Sequence, residues 1–185
     1  MGSHGTCLSS AAKIKREGFD ARPGRIGRGA YFWTAMERRH VNLANDLAER
    51  WAQRHSYKYR CEADRRLAVV EIEVEAEQNE ILYLDHPEHH LDLRMMMAQC
   101  IEHEFKVASA FDVDRSDVRR IERTLWGIIE AYIVRVEQLL ERNIKVVFKA
   151  QVAPIDDPMR ELIGLTSCFS IRDTACIKSM QVSPV

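Results

Sequence analysis

The fold is decided by two stretches, His4-Gly5-Thr6 and Gly27-Arg28-Gly29-Ala30-Tyr31-Phe32-Trp33. Between them, residues 11–14 and the following Gly18 predict a short helix that ends at the glycine and leads into a strand. Glycine has no side chain, so a backbone that contains it can approach another group closely. A histidine and a tyrosine on neighbouring strands, both introduced by glycines, indicate a groove for a nucleotide.

The charge of the chain is nearly balanced, with 27 basic and 28 acidic residues and a net charge of -1. A chain of 185 residues is most simply one domain, long enough to bury a core without disulfides. Without a global field, a nucleic acid would have to be held by a local patch. Arginines gather near the two motifs, and two interpretations stay open for them: a solvated basic face, or contact with a substrate or pyrophosphate. They are Arg16, Arg22, Arg25, Arg28, Arg38 and Arg39.

The cysteine pattern and the lack of a long apolar run predict a cytoplasmic protein. Five cysteines occur without a CxxC pair, which argues against a disulfide framework and for a reducing compartment. The chain contains no apolar run of about 20 residues, the length that a helix needs to span a bilayer. The N-terminus does not resemble a signal peptide. We therefore expect a cytoplasmic domain without a membrane contact.

Hydrophobic periodicity predicts one α+β domain over residues 1–185, with a helical insertion at about residues 86–142. Strands are predicted at residues 30–33, 67–74, 81–84, 145–152 and, as the last strand, 168–171. Residues 81–84 are expected to end the hairpin with residues 67–74 or to bend into the next element. Helices are predicted at residues 9–16, 35–55, 86–108 and 116–142, and a short helical turn at 159–163. Ser9, Thr34 and Asp85 are the expected N-caps.

Apolar residues at helical spacing predict the buried faces of the two long helices. The broad stripe of the fourth helix is expected to be buried within this chain, the alternative being a dimer or inhibitor contact. For the third helix the residues are Leu91, Met95, Met96, Ile101 and Phe105. For the fourth they are Val118, Ile121, Leu125, Ile128, Ile129, Tyr132, Ile133, Val136, Leu139 and Leu140.

The order of the motifs, H-G-T, then I-x-x-x-G-F, then G-x-G-x-Y-F, resembles the NAD-binding half of the ADP-ribosyltransferase fold. It is similar to the poly(ADP-ribose) polymerase-like branch, whose signature is His, Tyr and a late Glu, and to small bacterial-type mono-ADP-ribosyltransferase toxins. The resemblance implies a split antiparallel β-core, here with long inserted helices. It also implies NAD as the substrate.

The resemblance assigns NAD-binding roles to five residues. His4 would contact a ribose hydroxyl, since an imidazole can donate a hydrogen bond. The backbone of Gly5, with Thr6 beside it, would receive the nicotinamide carboxamide. Tyr31 would stack on the cationic nicotinamide ring. Gly29 stands two residues before Tyr31 and is counted with the NAD-binding residues.

A late strand carries the third catalytic position. In the family a glutamate stands there and holds the nicotinamide-ribose 2'-hydroxyl while positive charge develops on the sugar. Aligning the strands puts Cys168 at this position, so the predicted catalytic set is His4, Tyr31 and Cys168. The departure argues against polymer elongation and leaves mono-ADP-ribosyl transfer or NAD hydrolysis. Glu71, Glu73 and Glu161 are the acidic residues that could approach from elsewhere.

The resemblance implies an enzyme of the glycosyltransferase class that passes ADP-ribose to a protein or a nucleic acid. Small single-domain members often act as toxins in toxin–antitoxin or antiviral defence systems, which implies an antitoxin or a homodimer as partner. Three alternatives stay open. The first is a degenerate domain that binds NAD, ADP-ribose or a partner without chemistry, and the second is an NAD glycohydrolase. The third is an RNA 2'-phosphotransferase-like enzyme, because the stretch Arg38-Arg39-His40-Val41-Asn42 is similar to those enzymes.

Several residues with ligand atoms lie in and before the third predicted helix. Zinc sites have characteristic ligand spacings such as CxxC or HExxH. These residues match none of those spacings: His86, His89, His90, Cys100 and His103. We therefore predict no metal site.

Overall fold

The structure is a computed structural model that describes residues 1–110, 118–154 and 165–185. Its described part contains a seven-stranded sheet and four α-helices. The strands are β1 (Gly2–Cys7), β2 (Ala30–Thr34), β3 (Leu67–Val74), β4 (Ile81–Tyr83), β5 (Val146–Gln151), β6 (Thr166–Ile171) and β7 (Ile177–Pro184). The helices are α1 (Leu8–Glu17), α2 (Val41–Arg54), α3 (Pro87–Ala110) and α4 (Val118–Leu140). This is the mixed α+β architecture that the periodicity predicts.

The strands lie in the order β4-β5-β6-β2-β1-β3-β7. All neighbouring pairs are antiparallel except β4 and β5, which are parallel. The first strand is therefore central, with β2 on one side and β3 on the other. The late strand β6 is the other neighbour of β2. The strands of His4, Tyr31 and Cys168 are thus three consecutive strands of the sheet.

Side chains alternate between the two faces of the sheet, and each face has its own core. On one face, Trp33, Val69 and Val147 pack with buried residues of α2, α3 and α4. On the other, Phe32 and Val70 pack against α1. We call these the α2 face and the α1 face.

The β1 strand lies in van der Waals contact with α2 through Gly5. A Cβ at Gly5 would overlap the backbone carbonyl of Ala48 and lie 3.1 Å from the Cβ of Ala52. Ala44, Ala48 and Ala52 are all buried on this side of the helix. Small residues on both partners therefore set the distance between the helix and the sheet.

All three predicted N-caps are wrong because the side chains have other roles. Helix α3 begins at Pro87, with His86 before it, and the Asp85 carboxylate instead accepts the backbone N–H of Ala150. Helix α1 begins at Leu8 after Cys7, and the Ser9 hydroxyl instead accepts the backbone N–H of Asp64 at 2.6 Å. Thr34 is the last residue of β2, and α2 begins only at Val41, after a short helical turn over Arg38–His40. The end of α1 is confirmed, since Gly18 has a φ of 81° and its N–H bonds to Ile14.

Both edges of the sheet differ from the prediction. Ile81–Tyr83 does not pair with β3 but forms β4, parallel to β5 at the far edge. The chain also has a further strand after β6, because β7 pairs with β3 along its whole length. The alternation of Ile177, Met180 and Val182 carries the signal for this strand, interrupted by a register shift near Val74. The predicted turn at 159–163 lies outside the described residues.

The predicted buried face of α3 is confirmed only at Met96. Leu91 and Met95 are exposed, while Leu93 is buried and Met96 and Met97 pack partly against the core. The α3 sequence offers two apolar stripes at helical spacing, and contact with α4 selects one of them. In α4 the expected stripe from Ile128 to Val136 is buried within this chain. At its end Leu139 and Leu140 are exposed, contrary to the prediction. The side chains of Ile101, Phe105, Val118 and Ile121 lie outside the described residues.

None of the helices in the described ranges is long and apolar enough to cross a bilayer.

We predict that Gly5→Ala destabilises the fold by about 3 kcal/mol or more, because the new methyl group overlaps a backbone carbonyl that cannot move without shifting α2. Gly127→Ala is the matched control, since a Cβ there meets no atom within 4 Å. Alanine in that helical position should stabilise the chain by up to about 1 kcal/mol. Urea unfolding followed by circular dichroism measures both changes. Equal stability of the two variants would contradict the proposed contact.

Candidate functional site

The strands β1 and β2 part at the first motif. They pair only at Gly2–Thr34 and Ser3–Trp33, whereas β1 continues to pair with β3 as far as Cys7. At the point of separation, Nδ1 of His4 lies 2.8 Å from the carbonyl oxygen of Tyr31. This hydrogen bond replaces the backbone pairing that would otherwise continue. The opening between the two strands, from His4 onward, is the candidate site.

The hydrogen bond fixes which nitrogen of His4 carries a proton. A carbonyl oxygen only accepts, so Nδ1 must donate to Tyr31. Burial lowers the pKa of His4 below its ordinary value, although the bond to Tyr31 acts in the opposite direction. The ring is therefore neutral near pH 7, and its Nε2 is an acceptor. Toward the hydroxyl of a ligand His4 would therefore accept a hydrogen bond, whereas the sequence suggested that it would donate one.

The rings of His4 and Tyr31 lie on opposite faces of the sheet. His4 is on the α1 face, with its centroid 5.5 Å from that of Phe19 and 5.8 Å from that of Phe32. Tyr31 precedes Phe32 on the strand and packs with the core of the α2 face. A ligand that contacts both side chains must therefore lie in the opening between β1 and β2.

The phenol of Tyr31 holds the loop between α1 and β2 in place. Its hydroxyl donates to the carbonyl of Gly27 and accepts the N–H of Ile26 at 3.1 Å. Burial is the main reason that the pKa of Tyr31 is raised to about 12. The hydroxyl stays protonated at neutral pH and serves no acid or base function there. The aromatic ring is the part that remains for a ligand.

The remaining residues of the motifs mainly contact protein. Gly5 faces α2, and a Cβ at Gly29 would lie 2.6 Å from the carbonyl oxygen of Ile171 in β6. Thr6 is buried and lies beside Tyr59: burial raises the pKa of the Tyr59 phenol, and the Thr6 side chain acts in the opposite direction. The glycines that suggested close approach of a ligand thus allow close approach of backbone. Contact with nicotinamide would involve the strand edge rather than these faces.

Cys168 lies on β6 opposite Trp33 and is buried. Desolvation raises the pKa of its thiol to about 12. The thiol is therefore neutral near pH 7, where the family's glutamate would be charged. A neutral thiol cannot stabilise a developing positive charge on a ribose, so Cys168 does not replace the carboxylate electrostatically.

The acidic candidates from the sequence have other partners or lie elsewhere. Glu71 accepts the side-chain amide of Asn45, whose oxygen in turn accepts the hydroxyl of Ser3. Glu73 acts electrostatically on the N-terminal amine. Glu161 lies outside the described residues.

The carboxylate near Tyr31 that the sequence did not reveal is Glu130 of α4. It accepts the backbone N–H of Arg28 at 2.6 Å and binds Arg172 through both oxygens, at 2.8 and 2.9 Å. Its charge also contributes to the raised pKa of Tyr31. In the sequence Glu130 lies between the apolar positions of the α4 stripe, so an acidic residue there is expected to face solvent. Only the packing of α4 against the loop brings it to the site.

Several of the arginines near the motifs form ion pairs with acids close to them in the sequence. Arg16, Arg22 and Arg39 form exposed ion pairs with acids at most two residues away, and such pairs contribute little. Burial is the main reason that the pKa of His55, at the end of α2, is lowered, and the charge of Arg25 contributes to it.

The histidines of α3 form hydrogen bonds and ring contacts. Nδ1 of His89 lies 2.9 Å from the hydroxyl of Tyr132, and the rings of His86 and His89 are 6.0 Å apart. Among the residues that the structure describes, no group of three histidine, cysteine, aspartate or glutamate side chains could hold a metal ion.

Comparison with protein-family models, with curated proteins and with solved structures gives no match to this chain.

We predict that iodoacetamide at about pH 8 alkylates Cys61 in the native protein but not Cys168, which is buried and protonated. Cys61 is exposed and provides the internal control. Peptide mass spectrometry measures both sites, and Cys168 should react only after denaturant is added. Equally fast modification of the two cysteines in native protein would show that β6 is accessible.

We also predict that Tyr31→Phe destabilises the protein by about 1–3 kcal/mol, because the N–H of Ile26 and the carbonyl of Gly27 lose their partner. Tyr83→Phe is the control, since Tyr83 is exposed and its hydroxyl has no hydrogen bond to any described residue. Chemical denaturation compares the two variants. An unchanged stability for Tyr31→Phe would show that the loop does not depend on the phenol.

Proposed function

We propose that this chain is an NAD-dependent mono-ADP-ribosyltransferase that binds NAD in the opening between β1 and β2. The observation that carries the proposal is the separation of these strands at His4, opposite Tyr31. These are the two residues at which the resemblance predicts an NAD groove. The neighbouring strand β6 carries the third expected position, Cys168.

The neutral groups at the opening suit NAD. The acceptor Nε2 of His4 takes a hydrogen bond from a ribose hydroxyl, and the ring of Tyr31 offers a face to the cationic nicotinamide. Gly5, Thr6 and Gly29 shape the strand edges on either side. Because these groups are neutral, no adjacent carboxylate compensates the positive charge on the nicotinamide ring. This favours release of nicotinamide as a neutral molecule.

The reaction breaks the bond between C1' of the ribose and the ring nitrogen of nicotinamide. Nicotinamide leaves with the bonding electron pair, and positive charge develops on the sugar. A nucleophilic oxygen or nitrogen of the acceptor then bonds to C1' and releases its proton to solvent. Because the leaving group is already cationic, alignment of the two reactants supplies much of the rate. The carboxylate of Glu130, which contacts the loop held by Tyr31, is paired with Arg172.

The proposal includes the biological role that the resemblance implies. The acceptor is a macromolecule, and the activity is that of a toxin or defence effector with a neutralising partner. Hydrolysis of NAD is the same chemistry with water as the acceptor.

A second candidate function is a domain that binds NAD or ADP-ribose without cleaving it. The neutral, buried thiol of Cys168 favours this alternative, because it leaves the expected carboxylate position without charge.

The test is nicotinamide release from NAD by the purified chain, measured by chromatography beside a calorimetric titration with NAD. We expect release in the wild type and a loss on the order of tenfold to hundredfold in His4→Asn. Asparagine keeps a donor at the position of Nδ1 and removes Nε2, so the strands stay bridged.

His86→Asn is the control, since His86 is exposed and lies at the start of α3. It should release nicotinamide like the wild type. Binding of NAD without release would favour the non-catalytic alternative. If the chain neither binds NAD nor releases nicotinamide, the proposed function is refuted.

A further inference from the structure

The end of α2 and the turn after it carry an unusual sequence, Trp51-Ala-Gln-Arg-His-Ser-Tyr-Lys-Tyr-Arg60, with three cations and no acid. The cations Arg54, Lys58 and Arg60 are exposed. None of them forms an ion pair with a carboxylate of the described ranges. By contrast, Arg50 in the same helix pairs with Asp46. We call residues 51–60 the basic turn.

Aromatic side chains alternate with these charges. The Tyr57 side chain is 54% exposed. The Lys58 ammonium lies 5.1 Å from the ring centroid of Trp51, and Nδ1 of His55 bonds to the carbonyl of Trp51 at 2.8 Å. The basic turn thus presents an exposed ring between exposed positive charges.

The basic turn is anchored next to the candidate site. The phenol of Tyr59 lies close enough to Thr6 of the first motif for that side chain to affect its pKa, which burial raises. Ala52, at the start of the turn, packs against Gly5. From the other side of the opening, Arg25 comes close enough to affect His55. Burial is the main reason for the lowered pKa of His55, and the charges of Lys58, Arg54 and Arg25 lower it further.

Cations interleaved with an exposed aromatic ring match one class of ligand. Single-stranded nucleic acids offer a phosphate for each cation and an unpaired base face for the ring. A duplex hides its base faces, and a membrane-binding surface requires an apolar face that residues 54–60 lack. An acidic peptide would leave the exposed ring unused.

We propose that Arg54, Tyr57, Lys58 and Arg60 bind a single-stranded nucleic acid and present it as the acceptor for ADP-ribose. The acceptor part rests on the proposed function, whereas the binding part does not. Because the chain has a net charge of -1, this affinity is local to the turn rather than a property of the whole surface.

Binding is tested on the full chain without NAD, by fluorescence anisotropy of labelled mixed-sequence RNA and DNA strands of about 20 nucleotides. A blunt duplex of the same sequence is measured in parallel, with salt varied between about 50 and 200 mM. We expect both single strands to bind more tightly than the duplex. The tighter of the two single strands identifies whether RNA or DNA is preferred.

Two variants separate the contributions. A triple variant should reduce the slope of log affinity against log salt by about 2, at about 0.7 per lost phosphate contact. It combines Arg54→Ala, Lys58→Ala and Arg60→Ala. Tyr57→Ala should weaken single-strand binding on the order of tenfold, with the slope unchanged. A charge-matched control removes Arg94, Arg123 and Arg135, which are exposed on α3 and α4, and should bind like the wild type.

The binding proposal is overturned if the wild type does not bind at the lowest salt, if it binds the duplex equally well, or if either turn variant binds like the wild type. The acceptor part is tested with biotinylated NAD and the same strands. Nicotinamide release without labelling of the strand overturns the acceptor assignment and leaves NAD cleavage standing. No release at all refutes the proposed function, while anisotropy still decides binding.

Discussion

The hydrogen bond from His4 to the carbonyl of Tyr31 joins two central strands that no longer pair with each other. Without it, the sheet would have an open seam between β1 and β2 after Ser3. The same bond determines the tautomer of His4 and therefore what its free nitrogen can recognise. On either side of the seam, α2 packs against Gly5 and the phenol of Tyr31 holds the loop before β2. Fold and candidate site thus depend on one contact.

The groups around the opening are neutral, and the charges lie at its rim. His4, Tyr31 and Cys168 all have pKa values shifted by burial toward their uncharged forms. The nearby carboxylate of Glu130 is bound to Arg172. A ligand in the opening would therefore be recognised by hydrogen bonds and ring contacts, as we propose for the cationic nicotinamide. Outside, the basic turn would attract a polyanion under our proposal, and the two halves of a transfer reaction would then be separated in space.

Local patterns predict local elements well. The alternation of residues 67–74 predicts β3 with both of its bounds, and the glycine at Gly18 predicts the end of α1. The pairing of β4 with β5 was not predictable, because it joins segments separated by both long helices. The buried face of α3 was predicted correctly only at Met96, since two stripes fit the helical period and only α4 selects between them. The prediction of N-caps was wrong where a polar side chain binds a distant backbone group, as the Ser9 hydroxyl does with the N–H of Asp64.

The sequence by itself determined the strand of Tyr31 and the glycine that ends α1, because these signals are local and strand alternation has a fixed period. That His4 and Tyr31 lie on neighbouring strands was an expectation, and the sheet order confirms it. Only the tertiary structure decided what the motif residues contact. It put the two rings on opposite faces, turned the glycines toward protein backbone and brought Glu130 from α4 to the loop. It also placed the basic turn beside the first motif, where Ala52 packs against Gly5. The reason is physical: these contacts join segments far apart in the chain, and packing rather than local preference sets their distances.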